Sequence, residues 1–253
     1  MPFVFNKTVK IHYQVVGSGP VMVMHHGFGN CIDDYFDLGY VDALKDSFKL
    51  VMVDGRGFGK SDKPHCPTAY DFSLRTADTI AVLDDLAIDT AIAWGNSMGG
   101  RMLFALMHYY PERFSAYIAG GMHPFAEYAD VKLNIQAWLR HGMAAAVADF
   151  EANDAPFPAS LRERYLRNDP TAMQAVYCNP APDFSQALAA IQEPVLLYCG
   201  SEEPYLEEIK RAATLLHQGE FKEMAGLSHS QTYWEGALVA ALIKAFLQQY
   251  QQI

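Results

Sequence analysis

Short apolar runs that end at glycine-bearing turns recur along the chain, and the stretches between them bring apolar residues round every three or four positions. Residues 10–16 read as a strand that stops at Gly17-Ser18-Gly19-Pro20, and residues 21–25 as a second that leads into His26-Gly27-Phe28-Gly29. Residues 49–53 form a third run before Asp54-Gly55-Arg56-Gly57, and residues 90–94 a fourth before Gly95. Between the last two, residues 73–86 place Leu74, Ala77, Ile80, Ala81, Leu83 and Leu86 at near-helical spacing, with Asp78, Asp84 and Asp85 on the remainder. The alternation continues with a helix over 98–109, strands over 114–119 and 194–199, a helix over 206–216, a strand over 220–224 and a helix over 232–249. Apolar strands alternating with amphipathic helices predict an α/β fold, a mostly parallel sheet covered by helices on both faces, with ligands expected at the carboxyl ends of the strands. The alternation fails between Met122 and Gln192, where helix-like pieces are broken by Asp154-Ala155-Pro156-Phe157-Pro158 and Asn179-Pro180-Ala181-Pro182. This predicts a core of residues 1–122 and 193–253, with a helical cap inserted over 123–192.

The chain has 253 residues, 51% hydrophobic and 19% charged, enough to bury a large core in one such domain. Its net charge of −10 disfavours nucleic acid and anionic lipid as partners. The start, MPFVFNK, lacks the basic segment and long apolar run of a leader, and no stretch is apolar for the roughly 18 residues of a membrane span. A soluble, cytoplasmic protein is expected. Cys31, Cys66, Cys178 and Cys199 show neither close pairing nor metal-ligand spacing, which predicts free thiols. The adjacent His25 and His26 invite a metal reading, but consecutive residues at a strand end point in opposite directions, so no metal site is expected there.

Gly95-Asn96-Ser97-Met98-Gly99 fits the pattern G-x-S-x-G where a strand ends and a helix begins. A serine at such a turn is held in a strained conformation with its hydroxyl above the sheet, and small flanking residues let strand and helix approach. The helix start adds partial positive charge and free backbone N–H groups close to any oxyanion that forms.

With that turn, the loop His26 to Gly29, the segment Asp54-Gly-Arg-Gly-Phe-Gly-Lys-Ser-Asp-Lys-Pro64, the strand end Pro194 to Gly200 and the late His229, the chain resembles the α/β-hydrolase superfamily over nearly its whole length. The resemblance implies the α/β-hydrolase fold with Ser97 as nucleophile. It implies that the oxyanion is held by the N–H groups of Phe28, after the His-Gly pair, and of Met98, after the nucleophile. It places Asp54 in a loop-bracing turn rather than among the catalytic residues.

Serine is a poor nucleophile near its free pKa, so a histidine must take its proton and a carboxylate must hold that histidine in one tautomer. The order expected on this fold is Ser, acid, His. Of the nine histidines only His217 and His229 lie beyond the strand at 194–199. His217 ends a helix and reads as a surface residue, whereas His229, in the loop Gly226-Leu227-Ser228-His229, resembles the family's histidine. The family places its acid, commonly aspartate, three residues beyond the glycine that ends the strand; here Glu203 occupies that place, with the neighbouring Glu202 as the alternative.

A serine at the turn sets the chain apart from haloalkane dehalogenases and epoxide hydrolases, which resemble it in fold but use a carboxylate nucleophile. Acyl transfer from a small-molecule carboxylic ester to water is the expected chemistry, with no cofactor. The expected pocket is apolar: Phe28, Met98, Met122, Phe125, Tyr128, Trp138, Tyr205 and Trp234, with core or cap packing as the other reading for Trp138 and Tyr128. Such a pocket suits small to medium acyl chains. The turn also resembles that of carbon–carbon bond hydrolases, which commonly carry tryptophan after the histidine where this chain has Ser230. Lactonase, thioesterase and perhydrolase chemistry use the same groups, and a ligand receptor without turnover or a hydroxynitrile lyase stands as an alternative of another class.

Overall fold

The computed structural model describes residues 2–126, 140–178 and 181–251. Its strands are β1 (Phe3–Asn6), β2 (Val9–Val16), β3 (Val21–His25), β4 (Lys49–Val53), β5 (Ala91–Asn96), β6 (Phe114–Gly120), β7 (Val195–Gly200) and β8 (Gly219–Met224). They form one eight-stranded sheet in the order β1-β2-β4-β3-β5-β6-β7-β8. From β4 to β8 all neighbours are parallel. β1 pairs antiparallel with β2, and β2 antiparallel with β4. The pairing of β1 is not foreseen by the apolar pattern, because Phe3 to Asn6 is short and only partly buried.

The central strands are largely apolar because both faces are covered, and their alternate residues enter different cores. In β5, Ala91 and Ala93 join the core under α3 (Phe72–Asp85) and α4 (Met98–Tyr109), while Ile92 and Trp94 join the opposite one. The latter includes Ile32 and Tyr35 of α1 (Ile32–Asp37), Tyr40 and Leu44 of α2 (Tyr40–Leu44), and Val239, Ile243 and Phe246 near the C-terminus. Helices α1 and α2 are too short to show a period in the sequence.

Between β6 and β7 the described residues form α5 (Met143–Asn153), α6 (Ala159–Leu166) and α7 (Pro170–Cys178). Met143 and Val147 of α5, Tyr165 of α6 and Met173 and Val176 of α7 pack with Phe58, Tyr70 and Met98, a third cluster above the strand ends. After β7 come α8 (Leu206–Ala213), β8, α9 (His229–Trp234) and α10 (Gly236–Gln249).

The last two helices correct the expectation of a single helix over 232–249. Gly236 lies so close to the Leu38 carbonyl that a Cβ would sit 2.0 Å from its oxygen, and the chain breaks at Glu235 to make that contact. His229 is likewise not in a loop but opens α9. Ser228 Oγ accepts the Gln231 N–H and Gln231 Oε1 accepts the Ser228 N–H, a reciprocal cap that fixes where the helix starts. Among the described residues no helix is long and apolar enough to cross a membrane.

Candidate active site

Ser97 stands alone between β5 and α4, with φ 55° and ψ −118°. Its N–H donates to the Gly120 carbonyl at 2.8 Å and its carbonyl accepts the Arg101 N–H at 3.0 Å, so strand and helix hold the turn from both sides. A left-handed φ costs a non-glycine residue on the order of 1–3 kcal/mol and persists only when the surroundings over-determine it. Gly99 is required by the same turn: a Cβ there would sit 2.0 Å from the His25 carbonyl oxygen.

His229 Nε2 lies 2.9 Å from Ser97 Oγ, and His229 Nδ1 lies 2.7 Å from Glu203 Oε2. The Glu203 carboxylate accepts the Nδ1 hydrogen, which leaves the Nε2 lone pair for the serine hydroxyl. Glu203 is fully enclosed, with a side-chain exposure of 0%, while Glu202 is exposed and offers its backbone N–H to the Leu227 carbonyl. Of the two glutamates, Glu203 is the one that meets the histidine. Burial pulls the His229 pKa down, but the Glu203 charge, the hydrogen bond to it and the charge of Asp154 together hold it above the ordinary 6.5. Asp154 ends α5 and accepts the Ser230 N–H through Oδ2 at 3.1 Å.

Phe28 lines the same cavity as Ser97, and Met98 follows Ser97 directly in the chain. Met98 is the first residue of α4, where no carbonyl of its own helix can accept its hydrogen, and Phe28 follows Gly27 in the turn after β3. Neither N–H donates to a backbone carbonyl among the described residues. The Met98 side chain points away into the third cluster.

Ser97, His229 and Glu203 share a cavity of about 330 Å³ with Phe28, Met122, Tyr205 and Trp234. Phe125 is a correction: it stacks on His123 and lies under the Arg211 guanidinium at 3.6 Å, and it does not line the cavity. The sequence pattern showed only that Phe125 follows a strand end, not which way its ring turns. His123 is buried against Phe125 and Tyr205, and burial lowers its pKa to about 4. Trp138 and Tyr128 lie outside the described residues. The expectation missed Phe150, Phe157, Tyr165 and Tyr177, which reach the cavity from α5, α6, α7 and the turn between α5 and α6, and it missed Asp154. The signal was present in the break Asp154 to Pro158, a carboxylate among apolar residues.

The other candidates have structural partners. His26 donates from Nδ1 to the Gly27 carbonyl and accepts the Gly55 N–H at Nε2, while His25 Nε2 meets Thr79, so the two rings face different neighbours. Asp54 braces its loop by accepting from His12 Nδ1 and from the N–H groups of Ile32 and Lys60. His217 is exposed and meets the Ala189 carbonyl. The four cysteines are free.

Comparison with known proteins places this geometry. A family model described as alpha/beta hydrolase fold matches residues 20–182. The bifunctional epoxide hydrolase 2 of Sus scrofa is 30% identical over 110 residues, which are 43% of this chain and 19% of that protein. The chain thus matches less than a fifth of the length of that relative. Two solved structures overlay almost the whole chain: the enol-lactonase from Burkholderia xenovorans LB400, at TM-score 0.85 and 21% identity over 98% of this chain and 100% of its own, and a thermophilic esterase from Thermogutta terrifontis, at TM-score 0.85 and 20% identity over 98% of each. At these identities the overlays speak for the fold. The family model spans well over half of the chain, including the Ser97 turn, and with the strand order and overlays it shows that the chain belongs to the alpha/beta hydrolase fold family.

Proposed function

We propose that this protein is a serine hydrolase of carboxylic esters with small to medium acyl groups. Ser97 attacks the ester carbonyl as His229 Nε2 takes its proton, and Glu203 holds the imidazolium that forms. The Phe28 and Met98 N–H groups hold the oxyanion, each worth on the order of 3 kcal/mol in such sites. Protonated His229 then gives its proton to the leaving alcohol, and water, activated by the same nitrogen, releases the acid from Ser97. Residues 123–192 act as a cap over the core of residues 1–122 and 193–253. A small neutral molecule is the partner we favour over nucleic acid, given the net charge of −10.

The observation that carries this reading is the continuous line from Glu203 Oε2 through His229 to Ser97 Oγ, with hydrogen-bond distances of 2.7 and 2.9 Å. Opening an epoxide through an alkyl-enzyme calls for a carboxylate where this chain has Ser97. The expected result is hydrolysis of 4-nitrophenyl acetate and butyrate over many turnovers, abolished in Ser97→Ala. A single labelling event without steady-state release would point to a receptor, and cyanide release from a cyanohydrin to a lyase; either replaces the ester reading.

A further inference from the structure

The cavity over Ser97 contains two carboxylates, and no lysine or arginine lines it among the described residues. Glu203 is enclosed and committed to His229 through Oε2, although its Oε1 is likewise buried without a hydrogen-bond partner among the described residues. Asp154 is placed differently. It stands at the C-terminal end of α5, its N–H bonded to the Phe150 carbonyl at 2.9 Å, so the negative end of the helix dipole adds to its own charge. Oδ2 accepts the Ser230 N–H, whereas Oδ1 is buried and has no hydrogen-bond partner among the described residues. A buried acceptor left unpaired is unfavourable until something donates to it. The surrounding walls are aromatic, including Phe150, Phe157, Tyr177 and Trp234, surfaces that accept apolar chains and attract cations.

We infer that Asp154 makes this cavity a charge selector: it takes apolar esters that are neutral or carry an ammonium or hydroxyl donor, and it rejects esters whose acyl chain ends in a carboxylate. The inference rests on the acyl-transfer reading for its substrate class, but the selection itself is a property of binding. An anionic chain entering the cavity would meet a like charge with no cation to offset it, and repulsive elements of this kind set specificity as effectively as attractive ones. A donor on the ligand would satisfy Oδ1.

Three esters of equal chain length test this: 4-nitrophenyl hexanoate, mono-4-nitrophenyl adipate and 4-nitrophenyl 6-aminohexanoate, compared at a pH where His229 is neutral. The expected kcat/KM is at least as high for the ammonium ester as for hexanoate, and about tenfold or more lower for the adipate. Asp154→Asn keeps an acceptor for the Ser230 N–H and should narrow the adipate gap to about twofold, while Asp154→Glu should preserve it. Asp154→Ser serves as a second neutral variant should the amide fail to fold. Equilibrium binding of the same esters to Ser97→Ala protein separates the two ideas. Charge-ordered binding without turnover in the native enzyme would remove the acyl-transfer reading and keep the selector. Turnover in which adipate equals hexanoate, or an adipate gap unchanged in the neutral variants, would overturn the selector alone.

Discussion

Glu203 Oε2 and His229 Nδ1, brought together from the ends of adjacent parallel strands, lie 2.7 Å apart, and the carboxylate side chain is fully enclosed. Replacing the carboxylate by an amide presents the ring with a donor as well as an acceptor and leaves its tautomer undetermined. Glu203→Gln is expected to lower kcat by about 10³- to 10⁴-fold. Glu202→Gln, at an exposed position, should stay within about threefold of the native enzyme. Steady-state kinetics on 4-nitrophenyl butyrate distinguish them, and equal losses would dissolve the assignment.

Ser97, the nucleophile of the proposed mechanism, has an unfavourable backbone. Ser97→Gly should abolish turnover and at the same time raise resistance to urea by about 1 kcal/mol, because glycine adopts φ 55° without steric cost. Urea titration followed by tryptophan fluorescence checks this; a variant no more stable than the native protein would show that the turn is relaxed.

The pH dependence follows from His229. In the proposed mechanism it must be neutral to accept the serine proton, and although burial lowers its pKa, the negative charges of Glu203 and Asp154 hold it above the ordinary 6.5. The kcat/KM for a neutral ester should therefore fall as pH drops through that raised value. Asp154→Asn removes one of the two charges and should move this acidic limb to lower pH. An acidic limb unmoved by the substitution would mean that the Asp154 charge does not reach the ring.

Asp54 is a prediction about stability. Burial alone would raise its pKa, but the His12 bond, the nearby His26 ring and the Lys60 and Ile32 N–H groups lower it below the ordinary 3.8. A depressed folded-state pKa contributes stability that is present above the unfolded value and lost as pH falls through the folded one. Asp54→Ala should cost about 3 kcal/mol near neutrality, since it strands several buried donors, and should flatten the loss of stability between pH 4 and more acid conditions. Denaturant titrations at several pH values would show it, with an unchanged profile counting against the bracing role.

The central strands β3 to β7 were legible because they are buried on both faces and so read as largely apolar runs, whereas the parallel edge strand β8 is partly exposed and carries Glu220, Lys222 and Glu223. Ser97 was legible for a related reason: a strained turn between strand and helix tolerates few residue types around it, and Gly95 and Gly99 record the close approach. Glu203 required the resemblance, since two adjacent glutamates after Gly200 are equivalent until the backbone turns one inward. The capped start of α9 could have been read from Ser228-x-x-Gln231, which places His229 on a helix. The cavity wall was least legible. Phe125 and Phe157 look alike in sequence, yet one faces Arg211 and the other the cavity, a distinction made by tertiary packing alone.

The histidine is carried by the chain that leaves β8, a strand that pairs only with β7 among the described residues and leaves most of its residues partly or fully exposed. Edges of this kind open more readily than interiors. Local fraying there would withdraw the proton acceptor from Ser97 while the centre of the sheet remained intact. Inactivation should then precede global unfolding under mild denaturant, and the working lifetime of the proposed hydrolase would be set by the durability of its margin rather than by the strength of its middle.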